Sequence, residues 1–171
     1  MQAVAPLKEM REAIEEAGGE ALRLCYQCGL CTATCPWNMV RSFVVRRMIR
    51  QTQLGLANLG DEDTWLCATC AACVKRCPRG VEIVDIMRAL RRIVVEFGVA
   101  KVPDSLRITI KNISSVGNPQ GEPPQNRADW ARGLEVKSYS QGMELLYFPC
   151  CIPAYDPKIR RVARAAANIL N

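Results

Sequence analysis

Residues 25–36 read CYQCGLCTATCP and residues 67–78 read CATCAACVKRCP, so one cysteine pattern occurs twice with an offset of 42 residues. Both copies follow C-x2-C-x2-C-x3-C-P, a run that binds [4Fe–4S] clusters in two-cluster ferredoxins. In those proteins the fourth cysteine of each run binds the cluster of the other run. The sequence therefore predicts two crossed sites, each holding one cubane. The predicted ligand sets are Cys25, Cys28, Cys31 and Cys77 for the first cluster, and Cys67, Cys70, Cys73 and Cys35 for the second.

Other uses of cysteine fit the pattern less well. Zinc sites arrange two cysteine pairs, or one pair and histidines, around a single ion, whereas each run has three evenly spaced cysteines and the chain has no His. A disulfide framework needs an oxidising compartment, and residues 1–6 show no secretory signal. The lack of His also excludes Rieske ligation and Ser-His or Cys-His nucleophiles. A structural zinc-binding adaptor is kept as the alternative of another class.

The overall composition favours a protein of a reducing compartment. The 171 residues carry ten cysteines and no run of about 20 apolar residues, so we expect a cytoplasmic protein without a membrane span of its own. Peripheral attachment to a membrane complex is left open. The formal net charge is +6, but two [4Fe–4S] clusters with their thiolates offset about four of these charges. The basic excess therefore does not indicate nucleic-acid binding.

Hydrophobic periodicity predicts helices around the cysteine runs. Residues 6–17 form a first amphipathic helix that ends at Gly18 and Gly19, and helices follow each run over residues 39–54 and 82–97. This helical pattern, together with the two cysteine runs, predicts a mainly α domain with two clusters over residues 1–98. Two readings of the arginines on the later helices stay open: a solvated face, or compensation of cluster charge and docking of an acidic partner. These arginines are Arg41, Arg46, Arg47, Arg50, Arg88, Arg91 and Arg92.

The rest of the chain has a different amino-acid composition. Residues 99–143 are rich in Pro and Gly, which predicts a connector without a core of its own. Trp130 indicates that part of this connector packs against the rest of the protein. Residues 144–148 predict a short buried strand, and Asp156-Pro157 predicts the start of a helix. Strand, loop and helix are how an α/β unit begins, so residues 144–171 are predicted to be the first part of such a domain.

The two cysteine runs, with Trp65-Leu66 before the second and IVDIMRALR from Ile83 onward, resemble the iron–sulfur C subunit of heterodisulfide reductase. The resemblance covers roughly residues 20–98 and implies the α-helical ferredoxin fold. The tail LYFPCCIPAYD from Leu146 resembles the first part of the cysteine-rich "CCG" domain of the B subunit. Both parts lie on one chain in the D subunit and in DsrK of sulfite-reduction complexes, which we predict to be the nearest relatives.

Within the CCG resemblance, Cys151 matches the first ligand of a non-cubane [4Fe–4S] cluster, and Cys150 stands where Gly is common. The later cysteines of that domain are missing from residues 1–171, so the resemblance implies an incomplete catalytic site. Cys150 and Cys151 are either buried thiols or, for Cys151, the first ligand of a site completed elsewhere. No catalytic residue is assigned, and whether the chain is itself an enzyme stays open.

The resemblance implies an electron-transfer component of a heterodisulfide reductase-like complex in anaerobic metabolism. It implies transfer between a redox partner, either a haem-bearing membrane subunit or a flavin subunit, and a thiol/disulfide active site acting on a small thiol cofactor or a carrier protein. The main alternative is the iron–sulfur relay of a flavin-dependent glycolate or glycerol-3-phosphate dehydrogenase complex, which shares the layout.

Overall fold

The structure, a computed structural model, describes residues 5–170. Contacts between Cα atoms separate the chain into two compact units, one ending at Val102 and one beginning at Pro103. The described residues form helices and turns, with no β-strand among them. The predicted mainly α fold is therefore confirmed.

Short helices separated by tight turns make up the described part of the first unit. The α-helices are α1 (Lys8–Ile14), α2 (Leu30–Thr34), α3 (Val45–Gln53), α4 (Asp63–Leu66), α5 (Ala72–Lys75) and α6 (Ile83–Phe97). A π-type turn, Glu15–Gly19, and two 3-10 segments, Glu20–Leu24 and Pro36–Met39, lie between them. Each cysteine run contributes one of the shortest helices, α2 or α5.

Helix α6 forms the centre of this unit because most of one face is apolar and buried. Its buried side chains are Ile83, Val84, Ile86, Met87, Ala89, Leu90, Ile93 and Val94. The helix packs against α1 and the turns that follow it, and it also contacts α4 and α5. It ends at Gly98, whose φ of 60° lies in the left-handed region that glycine adopts at low cost. The helix predicted over residues 82–97 is confirmed to within one residue.

The cysteines lie at the edge of this core. Phe43, Ile49 and Val81 are almost fully buried beside the α6 face. The partly buried cysteines that pack against the core are Cys25, Cys31, Cys35, Cys67, Cys73 and Cys77. Folding of the helices and placement of the thiols are therefore parts of one packing arrangement.

The helix predicted over residues 39–54 begins later than expected, at Val45. The side chains of Asn38 and Thr32 accept hydrogen bonds from the backbone N–H groups of Phe43 (3.0 Å) and Arg46 (2.8 Å). Such local side-chain acceptors compete with helical hydrogen bonds. Residues 40–44 consequently form a turn that leads from the first cysteine run into α3.

The helix predicted over residues 6–17 is divided. Helix α1 ends at Ile14 and a π-type turn reaches Gly19, with Gly18 in the left-handed region at φ 106°. A Cβ atom on Gly19 would lie 2.7 Å from the carbonyl oxygen of Ile14. The Gly-Gly pair therefore permits the close turn that directs the chain toward the first cysteine run.

The second unit has a small core of its own, which the sequence did not predict. It contains α7 (Asp104–Val116), a 3-10 segment (Pro124–Ala131), α8 (Cys151–Tyr155) and α9 (Pro157–Leu170). The hydrophobic core residues of this unit are Trp130, Ala154, Tyr155, Ala163 and Ala167. Trp130 packs down as expected, whereas α7 was not foreseen inside the Pro- and Gly-rich segment. The division of the chain at residues 98 and 143 stays a prediction.

The buried strand predicted over residues 144–148 is wrong. These residues have no regular secondary structure, and Leu145, Leu146 and Phe148 are 56%, 62% and 76% exposed. A strand needs a neighbour to pair its backbone groups, and residues 5–170 supply none. The helix predicted after Asp156 is present as α9, and the Asp156 carboxylate accepts a hydrogen bond from the Lys158 N–H at 2.8 Å.

Candidate metal centres

The two cysteine loops share an unusual backbone. Gln27 and Gly29 flank the second cysteine of the first run, and Thr69 and Ala71 flank that of the second, all with φ between 53° and 87°. Among residues 5–170, Gln27, Thr69 and Ala71 are the non-glycine residues with positive φ. A left-handed conformation costs such residues about 1–2 kcal/mol each. Repetition of this cost at equivalent positions indicates that both loops are shaped around a site.

Two cavities are lined by the eight motif cysteines in groups of four. Site 1 is the cavity lined by Cys25, Cys28, Cys31 and Cys77. Site 2 is the cavity lined by Cys35, Cys67, Cys70 and Cys73. Each group combines three cysteines of one run with the fourth cysteine of the other. Contact between α2 and α5, the helices inside the two runs, places the loops side by side.

All ten cysteines are free thiols, and the second cysteine of each run, Cys28 or Cys70, is exposed. In the described residues no three Cys, Asp or Glu side chains are close enough to hold one metal ion. Thiolates that bind separate corners of a cubane do not converge on a single point, as zinc ligands must. Four thiols in the lining of each cavity supply the number of ligands that one [4Fe–4S] cluster takes.

Burial and crowding raise the pKa of several of these thiols. Burial raises the pKa of Cys73 to about 11, and negative charge on Cys67 and Cys31 adds to the shift. The pKa of Cys35 is raised mainly by burial, with further contributions from Cys67 and Cys70. Metal binding must displace the protons of such thiols. The same contributions show that Cys35 lies in the electrostatic environment of the second run.

Side chains outside the cysteine pattern hold the Cys25 end of site 1. The Gln27 amide donates to the Cys25 Sγ at 3.4 Å and to the Gln53 Oε1 at 3.3 Å. The Gln53 amide donates in turn to the carbonyl oxygens of Leu22 (3.1 Å) and Cys25 (2.8 Å). At the other end of the site, the Val81 N–H donates to the Cys77 Sγ at 3.4 Å. Helix α3 is thereby attached to the first loop.

Arg91 makes corresponding contacts beside site 2. Its guanidinium donates to the carbonyl oxygens of Thr64 (2.9 Å) and Cys67 (2.6 Å) and lies 5.6 Å from the centre of the Trp65 ring. Sequence patterns assign Arg91 only to the polar side of α6. Its spacing of 24 residues from Cys67 gives no local signal, so its role is visible only in three dimensions.

The donor set fits iron–sulfur clusters better than other cofactors. Four thiols line each cavity, and no carboxylate shares either lining in the described residues. Thiolate ligands select iron–sulfur clusters among larger inorganic groups. The remaining lining residues are mostly apolar, which limits access of water to a bound group.

The region that contains both cysteine runs is similar to a known protein family. Residues 24–82 match the family model described as "4Fe-4S dicluster domain". This part of the chain is therefore similar to 4Fe-4S dicluster domains. The match supports iron–sulfur clusters as the cofactors, in agreement with the sequence prediction.

The similar proteins are components of heterodisulfide reductases. The C subunit of the H(2):CoB-CoM heterodisulfide,ferredoxin reductase of Methanothermobacter marburgensis is 41% identical over 86 residues, which cover 49% of this chain and 46% of that protein. The iron-sulfur C subunit of the CoB–CoM heterodisulfide reductase of Methanopyrus kandleri is 39% identical over 98 residues, covering 54% and 51%. The C subunit of the ferredoxin:CoB-CoM heterodisulfide reductase of Methanosarcina mazei is 37% identical over 103 residues, covering 60% and 63%.

The matched part of the chain spans about half the length of the first of these relatives. The prediction of an iron–sulfur protein like the C subunit of heterodisulfide reductase is confirmed at that level. The resemblance of residues 144–171 to a CCG domain is not supported by these matches and stays a prediction. In residues 5–170, no helix is long and apolar enough to cross a membrane.

The tail cysteines lie in the second unit. Cys150 is exposed, and Cys151 begins α8 and packs partly against the Trp130 core. The Arg127 guanidinium donates to the Cys151 Sγ at 3.4 Å and lies 6.0 Å from the centre of the Phe148 ring. Hydrogen bonding to Cys151 raises the pKa of Arg127. Cys151 thus has a cationic neighbour that the sequence pattern did not reveal.

Proposed function

We propose that the chain holds two [4Fe–4S] clusters and serves as the electron-transfer subunit of a heterodisulfide reductase-type complex. Site 1 would use Cys25, Cys28, Cys31 and Cys77, and site 2 would use Cys35, Cys67, Cys70 and Cys73. The observation that carries the proposal is the lining of two neighbouring cavities by four thiols each, within a region that matches the dicluster domain. When bound, each cluster accepts and returns one electron.

The residues of the chain would fix both sites relative to each other. Each site takes its fourth thiol from the other run, so displacement of one loop would disturb both sites. The Gln53 and Arg91 hydrogen bonds hold the Cys25 and Cys67 carbonyl groups. A rigid pair of sites suits electron relay because no atom has to move far between redox states.

We further propose that the partner is another subunit of the complex, as the names of the similar proteins suggest. The finer assignment to a complex of the D-subunit or DsrK type, with a haem-bearing membrane subunit or a flavin subunit as partner, rests on the sequence resemblance. So does the role of a small thiol cofactor or carrier protein as the final redox substrate.

The tail would contribute to the thiol/disulfide site only in part. Cys151 is the residue we propose as a ligand of a non-cubane cluster, and its sulfur atom accepts a hydrogen bond from the Arg127 guanidinium at 3.4 Å. Two tail thiols fall short of the ligands that a cluster needs. We therefore expect residues 1–171 by themselves to carry electrons without turning over a disulfide substrate.

The decisive test is a stoichiometric reductive titration of anaerobically reconstituted chain. We expect about eight iron and eight sulfide per chain and uptake of two electrons, because two cubanes each accept one. The Cys150→Ser variant is the matched control and should give the same counts, since Cys150 lies outside both sites. Stoichiometric zinc, or about four iron with uptake of one electron, would contradict the proposal.

A further inference from the structure

We propose that Gln53 and Arg91 are equivalent positioning residues, each of which holds the first cysteine of one run in the geometry that its cluster needs. Gln53 acts at site 1 and Arg91 acts at site 2. This inference rests on the proposed function, because it presumes a cluster in each site. It goes further by assigning each side chain to one site and by stating what its loss changes there.

Both cysteine runs begin at the end of a short helical segment. Cys25 follows the 3-10 segment Glu20–Leu24 with φ −76° and ψ 116°, and Cys67 follows α4 with φ −60° and ψ 114°. The first cysteine of each run therefore leaves its helical segment in nearly the same backbone conformation. The last carbonyl groups of a helix have no partner within the helix. Both places thus offer hydrogen-bond acceptors to a donor from another part of the chain.

A single side chain satisfies two of these acceptors at each site. The Gln53 amide donates to the Cys25 carbonyl oxygen at 2.8 Å and to the carbonyl oxygen three residues earlier at 3.1 Å. The Arg91 guanidinium donates to the Cys67 carbonyl oxygen at 2.6 Å and to the carbonyl oxygen three residues earlier at 2.9 Å. The same pair of backbone positions is therefore held in both runs, once by an amide and once by a guanidinium.

The two donors occupy the same place on the helix that follows each run. Gln53 is the ninth residue of α3, and Arg91 is the ninth residue of α6, counted from Ile83. Helix α3 contacts the segment Glu20–Leu24, and α6 contacts α4. The cysteine repeat does not reveal this equivalence, because α6 begins closer to its run than α3 does, and the position 42 residues after Gln53 holds Val95. Different residues at different spacings thus make the same contact, which indicates that the site requires it.

The two contacts differ in charge. The Gln53 Oε1 also accepts a hydrogen bond from the Gln27 amide at 3.3 Å, and that amide donates to the Cys25 Sγ at 3.4 Å. The neutral Gln53 therefore positions both the backbone and the thiol of Cys25. Arg91 instead brings a positive charge to site 2, and its guanidinium is held over the Trp65 ring at 5.6 Å. A positive charge there favours the more negative, reduced state of a bound cluster.

The first test removes the Arg91 guanidinium. The anaerobically loaded chain is exposed to an iron chelator, and paramagnetic resonance follows the clusters that remain, with Cys28→Ser and Cys70→Ser assigning the signals. Arg91→Met should weaken retention of the site 2 cluster by about 10–100-fold, the range typical of groups that hold metal ligands in place. Retention at site 1 should stay unchanged. Arg92→Met is the control, because that guanidinium donates to the Ala17 carbonyl oxygen at 2.8 Å, and both residues lie outside the two linings.

A redox titration of the same samples separates positioning from general stability. Arg91→Met should lower the midpoint potential of site 2 and leave that of site 1 unchanged, because a charge is lost beside one site only. Arg91→Lys keeps the charge but lacks the planar pair of donors. It should therefore keep the site 2 midpoint near the wild-type value and still release that cluster faster.

A variant at the other site keeps the inference testable if Arg91→Met takes up no iron. Gln53→Glu has the same shape and can still accept the Gln27 hydrogen bond, but it cannot donate to the two carbonyl groups. It should weaken retention at site 1 alone. Gln51→Glu makes the same change of charge on the same helix, outside both linings, and is the matched control.

Three results would overturn the inference. They are unchanged retention in Arg91→Lys or Gln53→Glu, equal weakening of both clusters in either variant, and a site 2 midpoint in Arg91→Met that equals the wild-type value. Failure of the proposed function is distinguishable, because it would appear earlier, as an iron content of the wild-type chain too low for two clusters.

Discussion

The unit that ends at Val102 and the unit that begins at Pro103 use their apolar residues in opposite ways. In the first unit, Phe43, Ile49 and the buried face of α6 form one core that extends onto six of the motif cysteines. In the second unit the core is confined to Trp130, Tyr155 and three alanines, and Leu146, Phe148 and Ile169 are exposed. The core of the first unit therefore includes the walls of its thiol sites. The core of the second unit contains little cysteine and should depend little on it.

Removal of metal should give the largest difference in stability between the two units. We expect chelation of iron to expose the backbone of α3 and α6, because the loops between them hold few large apolar side chains and lose their common ligands. Helix α9 should keep its protection because its core contains no motif cysteine. Amide hydrogen exchange read by mass spectrometry measures both units in one sample. Unchanged protection of α6 in the iron-free chain would refute the coupling of fold and site.

Loss of one cysteine tests whether each cluster takes its fourth ligand from the other cysteine run. Cys35→Ser should perturb the cluster held by Cys67, Cys70 and Cys73, because Cys35 lines their cavity. The iron content should fall toward half, and paramagnetic resonance assigns the signal that changes. Cys151→Ser is the control in the second unit and should alter neither signal. Damage confined to the cluster of Cys25, Cys28 and Cys31 would show that each run binds its own cluster.

Truncation of Trp130 tests the converse, namely whether the second unit can be destabilised without effect on the first. Trp130 is 7% exposed and meets the Tyr147 ring edge-on at 5.7 Å. Its side chain dominates the second unit's core, so Trp130→Ala should destabilise that unit by about 3–5 kcal/mol. Hydrogen exchange of α9 should accelerate while the iron content and both cluster signals stay constant. Loss of iron from this variant would mean that the units are not energetically separate.

A smaller effect is expected for the ion pair behind the first loop. The Glu15 carboxylate is buried and accepts hydrogen bonds from the Arg23 guanidinium, one of them from Nε at 2.9 Å. This contact holds the pKa of Glu15 below its usual value. Its contribution is therefore present above the unfolded-state pKa near 4.5 and is lost as pH falls through the lower folded pKa.

Glu15→Gln should accordingly lower the stability of the first unit by about 1–3 kcal/mol at neutral pH. The difference from the wild-type chain should shrink as pH falls below 4.5, because the Glu15 carboxylate takes up its proton in the unfolded chain before it does so in the folded one. Urea unfolding of both proteins at each pH under argon measures the difference directly. Glu12→Gln is the control, because its partner Lys8 is 72% exposed and exposed pairs contribute little. A difference that persists unchanged at low pH would exclude the ionic cause.

What the sequence predicts well follows from short-range patterns. The spacing of the cysteines predicts two groups of four, and the same groups line the two cavities, although ligation itself stays a prediction. The 3.6-residue period of apolar side chains predicts α6 almost to its ends. Such signals need no knowledge of distant residues.

What the sequence misses depends on partners far along the chain. Gln53 reaches Cys25 across 28 residues, and Arg91 reaches Cys67 across 24. Residues 144–148 satisfy the local pattern of a buried strand, but no neighbouring strand pairs with them in the part of the chain that the structure describes. Residues 144–148 are apolar as the pattern requires, but they are not buried, because burial depends on which other residues pack against a segment.

The smallest expected effect lies in the cluster loops themselves and compares the repeats residue by residue. Gly29 and Ala71 stand at equivalent positions, and both have positive φ, 87° and 61°. A methyl group in that conformation is strained by about 1–2 kcal/mol, whereas glycine adds about 0.5–1 kcal/mol of backbone entropy to lose on folding. Ala71→Gly should therefore raise the stability of the loaded first unit by up to about 1 kcal/mol. The neighbouring Ala72→Gly, at the first residue of α5 and without a positive φ, should lower it by about 0.5–1 kcal/mol. Urea unfolding followed by the cluster absorbance compares the two variants. Destabilisation by both would show that the left-handed position carries no strain, and that the second loop differs from the first in more than its side chains.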